Sequence, residues 1–353
     1  MPELRLNLHM HTRYSDGSGN HKDIALAAAR ANLDVVIVTD HNIYVDGPEG
    51  YYEFDQQKVL LLVGEEIHDQ AQSPQKNHLL ILGAQCELAP LADDRKRLLD
   101  FLRNTGGIAI IAHPVDPAAP AVSEEDISWI DWPIPVVQGI ELWNCMSEFK
   151  ALLRSKLHAI YYAYQPEKIA SGPFPEAVKL WDELLTSGRR ISAIAGSDAH
   201  ALKASMGPLR RELFPYEFHF KTVNMHLIMD SPLTGTLDID RKLVLDALAS
   251  GSSFIGYDLP ASTNGFRFIA NGFSKIVAMG GEIPASMGVT FQIHLPKSAD
   301  CRLFHNGDVV RSWQNHDTCA YITNVPGAYR VEAFIYYKGK RRTWILSNPI
   351  YVI

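Results

Sequence analysis

The chain has 353 residues, a formal net charge of −7, 46% hydrophobic residues and 21% charged residues. That length suits one large domain and a small one around a substantial core. The acidic balance and the absence of a basic run argue against non-specific binding to a long nucleic-acid backbone, and every apolar run falls far short of the ~20 residues a membrane span needs.

The first segment, MPELRLNLHMH, enters a strand-like run, Leu4–Leu8, without the basic start and apolar centre of a signal, so a cytoplasmic location is expected. His9 and His11 end that run, and a turn carrying Asp16 follows. A helix is predicted over His21–Ala31. The apolar run Val35–Val38 leads into Asp40-His41, and Lys58–Val63 leads into Glu66. His78 stands at the start of its run, His78–Leu82, rather than at the end. An antiparallel hairpin between 58–67 and 78–82 would bring Glu66 and His78 to one rim. A helix over Asp93–Asn104 stops at Gly106-Gly107. Ile108–Ile111 precedes His113, Gly139–Leu142 contains Glu141 and precedes Asn144, and Ile191–Ala195 precedes Asp198 and His200. Continuous apolar runs alternating with helices argue for an α/β barrel or a doubly wound sheet.

Residues 145–187 interrupt this rhythm with two helix-like stretches around a Pro/Gly loop. Such an insertion serves as a lid or substrate wall, or as a packing helix pair. The stretch from His200 to Val223 is expected to be irregular, followed by a strand over Asn224–Met229 and a helix over Asp240–Ser250. Pro260, Asn264 and Gly265 mark a boundary, so the predicted domains are 1–260 and 264–353. The second reads as an immunoglobulin-like β-sandwich of alternating strands, with Asn306-Gly307 as a type I′ hairpin turn. Cys86, Cys145, Cys301 and Cys319 lack C-x-x-C spacing and read as reduced thiols; a Cys301–Cys319 bridge is the lesser alternative.

His9, His11, Asp16, His41, Glu66, His78, His113, Asp198 and His200 lie in order at the ends of apolar runs, where α/β barrels build active sites. Imidazole and carboxylate without thiolate suit divalent transition metals. The residue-level expectation is a metal-dependent hydrolase.

The motifs HMHTRYSDG, TDH, GEEI, HLL, AHP and GSDAH, spread over about residues 1–257, resemble the PHP family, named for polymerase and histidinol phosphatase domains. The resemblance implies a distorted seven-stranded α/β barrel holding two or three divalent ions (Zn, Mn or Fe). It implies that His9, His11, Glu66 and Asp198 hold one ion, and that Glu66 bridges to a second held by His78 and His113. Asp16, His41 and His200 would hold a third. Three dications outweigh the charge of Asp16, Glu66 and Asp198, so the site attracts phosphate inside an acidic protein. The implied activity is hydrolysis of a small phosphorylated substrate by a metal-activated water.

Around these ligands, Glu66 rather than Glu65 is expected to face inward. Asp40, Arg13 and Arg210 are candidate catalytic residues: Asp40 orienting His41 or capping its loop, the two arginines clamping phosphate or forming surface ion pairs. Glu141 and Asn144 are candidate substrate contacts. His68 and the other histidines outside the motifs read as structural. Two competing readings are an amidohydrolase-like enzyme acting on a C–N or ester bond, and a binding protein with a vestigial site. The C-terminal sandwich is the candidate contact for an oligomer.

Overall fold

The apolar runs become strands and the Ala- and Leu-rich stretches become helices. In chain order they are β1 (Glu3–Leu8), α1 (His21–Arg30), β2 (Val35–His41), β3 (Gly50–Phe54), β4 (Gln57–Ile67), β5 (Leu79–Leu82), α2 (Arg95–Thr105), β6 (Ile108–Ile111) and β7 (Gly139–Asn144). Then come α3 (Cys145–Ala151), α4 (Lys156–Tyr164), α5 (Pro175–Thr186), β8 (Ser192–Gly196), β9 (Leu202–Met206), β10 (Leu209–Leu213), α6 (Tyr216–Phe220), β11 (Val223–Ile228), α7 (Leu237–Ser250) and β12 (Ser253–Tyr257). The rest is strand: β13 (Arg267–Asn271), β14 (Ile276–Ala278), β15 (Glu282–Ile283), β16 (Val289–His305), β17 (Asp308–Thr323), β18 (Gly327–Tyr337), β19 (Lys340–Ser347) and β20 (Ile350–Val352). The computed structural model describes residues 1–353 apart from 134, 135, 207 and 208, and side chains apart from those of 204–210.

The N-terminal part is mixed α/β with parallel strands. β2 lies parallel to β1 and β4, and β7 lies parallel to β6 and β8. Between these sets, β5 runs antiparallel to both β4 and β6. This is the hairpin that the position of His78 called for. β3 adds an antiparallel edge on β4. On the other side the sheet continues antiparallel from β1 through β11 and β12 to β19, and so into the C-terminal strands.

Side-chain alternation assigns the two faces. Leu6, Leu8, Val35, Ile37, Leu60 and Leu62 belong to the main core, which also takes in Trp181, Phe254 and Trp344. Val36, Val38, Val59, Leu61 and Val63 point the other way, onto Ile24, Ala25 and Ala28 of α1. Strands buried on both faces have no polar side to show, which is why their sequences are continuous apolar runs. Following the core face two residues at a time leads from Ile37 through Thr39 to His41, and from Leu62 through Gly64 to Glu66. The polar residues therefore cap the interior columns.

The stretch after His200 corrects the expected irregularity. β9 and β10 pair antiparallel there, and α6 follows. Among the described residues these two strands pair only with each other, apart from the main sheet. β3 was equally unmarked, because it is a half-exposed edge.

In the C-terminal part β16 pairs with β13, β17 and β18, and β18 pairs with β19 and β20. Asn306 and Gly307 join β16 to β17 with φ of 50° and 89°, the two positive values a type I′ turn requires. The insertion divides its roles. On α5, Trp181 is fully buried and Asp182 receives two bonds, of 2.7 and 2.8 Å, from the buried Arg330 of β18. α3 instead faces the rim of the α/β part. All four cysteines are free thiols. Among the described residues, no helix is long and apolar enough to cross a membrane.

Candidate metal centre

The pair that opens the site departs from the simple expectation. His9 and His11 are not successive residues of one strand face, because β1 ends at Leu8 and His9 has φ 62°. Leu6 and Leu8 face the core, so a regular strand would send Met10 there next. The left-handed turn at His9 reverses the parity: Met10 packs with the α1 layer, and both rings enter the site. Asp198, at φ 51°, and His113, at φ 24°, also sit just past strand ends with positive φ. Non-glycine residues pay a conformational cost there, and such positions cluster at functional sites. The His9 carbonyl anchors this rim by accepting bonds from the Asp198 N–H and the Ser197 hydroxyl.

The residues converge on Glu66, which is fully buried. One oxygen, Oε1, lies 2.6 Å from His78 Nδ1 and 2.9 Å from His113 Nε2. The other, Oε2, lies 2.9 Å from His9 Nε2, 3.2 Å from His11 Nε2 and 3.3 Å from His41 Nδ1. Asp198 Oδ1 approaches His11 Nε2 at 3.1 Å and His9 Nε2 at 3.6 Å. Asp16 reaches His200 Nε2 at 3.2 Å and His41 Nε2 at 3.8 Å. Potential ligand atoms within 4.8 Å of one another fall into four groups: His9, His11, Glu66 and Asp198; Glu66, His78 and His113; His11, Asp16, His41 and His200; and His41, His68 and His78.

Such crowding of imidazoles and carboxylates shifts their protonation. Burial by itself raises the Glu66 carboxyl, but the neighbouring His9, His41 and His78 hold it well below the carboxylate range. Asp198 is lowered in the same way, against its burial, by His9 and His11. Burial disfavours charge on His11 and His113, yet bonds to Asp198 and Glu66 carry His11 up to about 9 and a bond to Glu66 carries His113 up to about 9. His41, where burial prevails, is pushed down to about 3.

The donor set fits divalent ions. His11, His41 and His113 each keep a buried Nδ1 without a hydrogen-bond partner, an expensive state for a polar atom that no ligand uses. The set contains nitrogen and oxygen donors and no thiol, which suits zinc, manganese or iron. His9, His11, Glu66 and Asp198 could hold one ion, and Glu66, His78 and His113 another. The third group carries Asp16, His41 and His200 together with His11.

The flanking residues lie outside the convergence on Glu66. Glu65 lies on the opposite face of β4, where burial and a bond to Glu87 push it up to about 9. Asp40 does not meet the His41 ring; its carboxylate accepts the Thr12 N–H at 2.6 Å and the Ser15 hydroxyl at 2.7 Å. Adjacent strand residues point to opposite faces, so Asp40 clamps the turn that carries Asp16. Arg13 is an exposed side chain 4.0 Å from Asp23. Arg210 lies on β10, and its side chain falls outside the described residues.

Glu141 and Asn144, the candidate substrate contacts, bond to the residues of the cluster. Glu141 Oε1 accepts from His9 Nδ1 at 2.8 Å, and Oε2 accepts the His113 N–H at 2.7 Å. Asn144 donates to Glu141 at 3.0 Å and to Asp198 at 3.3 Å, while its oxygen caps α3. Both are buried behind His9, His113 and Asp198, to which they are bonded. His68, expected to be structural, also stands at the cluster. It stacks on His78 at 4.3 Å and borders the same cavity. Its signal was two-residue spacing from Glu66, past the end of the apolar run.

Residues 7–103 match the family model of the PHP domain. No curated protein matches the chain. Among solved structures it is similar to a two-domain protein from Bacteroides vulgatus described as containing a predicted PHP-like metal-dependent phosphoesterase. The identity is 15% and the TM-score 0.45, over 98% of this chain and 95% of that one. Residues 7–103, the segment that supplies His9, His11, Asp16, His41, Glu66 and His78, are thus similar to the PHP domain.

Proposed function

We propose that the protein is a metal-dependent phosphoesterase that hydrolyses a small phosphorylated substrate. The observation that carries this reading is the convergence of five imidazoles on the two oxygens of one buried carboxylate, Glu66. The reading includes two or three divalent ions, held by His9, His11, Asp16, His41, Glu66, His78, His113, Asp198 and His200. When bound, such ions supply Lewis acidity and acidify water. The chain contributes the rest. Glu141 holds the His9 ring with Nε2 toward Glu66, and Asn144 steadies Asp198. Asp40 fixes the turn that presents Asp16.

The reading extends to architecture and setting. Seven strands, β1, β2, β4, β5, β6, β7 and β8, would form a distorted barrel. Its closure between β8 and β1 is supported by the Met10–Ala199 bridge and the Ser197 N–H bond to the Leu8 carbonyl. Residues 1–260 would be the catalytic domain and 264–353 an immunoglobulin-like sandwich able to mediate oligomerisation. Free thiols support a cytoplasmic, reducing setting.

The test is metal analysis of the purified chain beside turnover of phosphate esters, amides and lactones. Two to three equivalents of metal, turnover of a phosphate ester, and loss of both in the double variant His9→Ala, His11→Ala are expected. Turnover of amides or lactones alone would move the protein to the amidohydrolase-like reading. Absence of bound metal and of all turnover would leave a vestigial site.

A further inference from the structure

The ligand cluster occupies one end of a cavity of about 780 Å³, a size typical of small-molecule sites. Away from the cluster the lining carries an apolar wall, with Gln70, Gln75 and Glu124 elsewhere on the border. Met146 and Phe149 of α3, Leu153, Val122 and Leu213 make up the wall. This wall is the open side of a separate small core formed by Phe149, Leu153 and Phe214, against which Met146, Val122 and Leu213 pack. None of these residues comes from the strands that carry the metal ligands. The polar exception on α3 is Lys150, but Asp116 holds its ammonium at 2.5 Å and the Glu125 carbonyl takes a second bond. It is therefore not free to receive a second phosphate or a carboxylate.

Resting on the phosphoesterase reading, we infer that the substrate is a phosphate monoester of an apolar alcohol, aliphatic or aromatic. Its phosphate lies at the ligand cluster and its hydrocarbon on the Met146–Phe149–Leu213 wall. A nucleotide or sugar would set hydroxyl and amide groups against methyl and phenyl groups. Each polar group buried there without a partner costs about tenfold or more in affinity. A hydrocarbon gains instead, by about two- to fourfold for each methylene removed from water.

The test measures binding, independently of turnover. The Mn- or Zn-loaded full-length protein is titrated calorimetrically with methyl-, butyl- and hexylphosphonate. Affinity is expected to rise at least tenfold from methyl to hexyl. In Met146→Gln and Leu213→Gln, checked for folding by thermal midpoint, that gain falls severalfold. Leu157→Gln, on the solvent side of α4 at 76% exposure, should retain it. Equal affinity for methyl- and hexylphosphonate in the wild type would overturn the inference while leaving the phosphoesterase reading intact. A chain-length gain unchanged in both wall variants would overturn the placement. Binding of neither phosphonate by the loaded protein would overturn both readings.

Discussion

Glu141→Gln changes the polarity of one buried hydrogen bond at almost constant size. In the native protein Glu141 Oε1 accepts from His9 Nδ1 at 2.8 Å, and Oε2 accepts from the His113 N–H and from Asn144 Nδ2 at 2.7 and 3.0 Å. The last two donors require an oxygen. A glutamine therefore turns its oxygen toward them and its amide nitrogen toward His9. Nδ1 must then accept, so the proton moves to Nε2, the atom 2.9 Å from Glu66 and 3.6 Å from Asp198. A protonated Nε2 cannot serve as a ligand. Loss of such an orienting partner costs about 10–100-fold in metal affinity, or roughly 1.4–2.8 kcal/mol. The assay is competition with a coloured chelator for Zn or Mn, with the thermal midpoint of the metal-free variant as the folding control. The ion held by His9, His11, Glu66 and Asp198 should weaken first. Affinity within twofold of wild type would refute the tautomer reasoning.

Three further outcomes are expected. A Cβ at Gly196 would fall on the Glu141 carboxylate and crowd the His9 side chain, so Gly196→Ala should reproduce the metal defect of Glu141→Gln and lower the thermal midpoint as well; wild-type metal affinity in this variant would speak against the contact. Arg330→Ala leaves Asp182 and Glu332 without their buried cation. Breaking such a pair costs about 3–5 kcal/mol, measured by urea unfolding, and a change under 1 kcal/mol would show the clamp between α5 and β18 to be dispensable. Glu148 is buried and pushed up to about 7, burial outweighing its bonds from Ser171 and Trp143. The folded chain then binds this proton more tightly than the unfolded chain, so its contribution to stability declines as pH rises from about 4.5 to 7, by about 3 kcal/mol. Glu148→Gln should flatten that decline in a pH series of unfolding midpoints, and parallel wild-type and variant curves would count against it.

Much of the α/β part was legible because its strands are buried on both faces. A continuous apolar run such as Val35–Val38 has few other uses, and the residue that ends it stands at the rim. The hairpin joining β4 to β5 was legible for a related reason: His78 precedes its run, and only an antiparallel pair brings it beside Glu66. Edge elements were not legible. β3 is a half-exposed edge, and β9 and β10 form a separate two-stranded pair outside the main sheet.

Residue type and order by themselves carried the donor set of the candidate site: histidine and carboxylate at the ends of apolar runs, in an order that resembles the PHP domain. Tertiary structure decided which side chains converge on Glu66 and which stand behind them. Asp40 and His41 are neighbours in the chain, yet one clamps a loop and the other faces Glu66, because a strand sends adjacent residues to opposite faces. Glu141 and His9 lie far apart in the chain and become hydrogen-bonded only when β7 is brought into place. Backbone sign decided the rest: at His9, φ 62° reverses the alternation that Leu6 and Leu8 establish. Composition and spacing carry no record of that reversal, since it is imposed by bonds to Ser197 and Asp198 from the far end of the sheet.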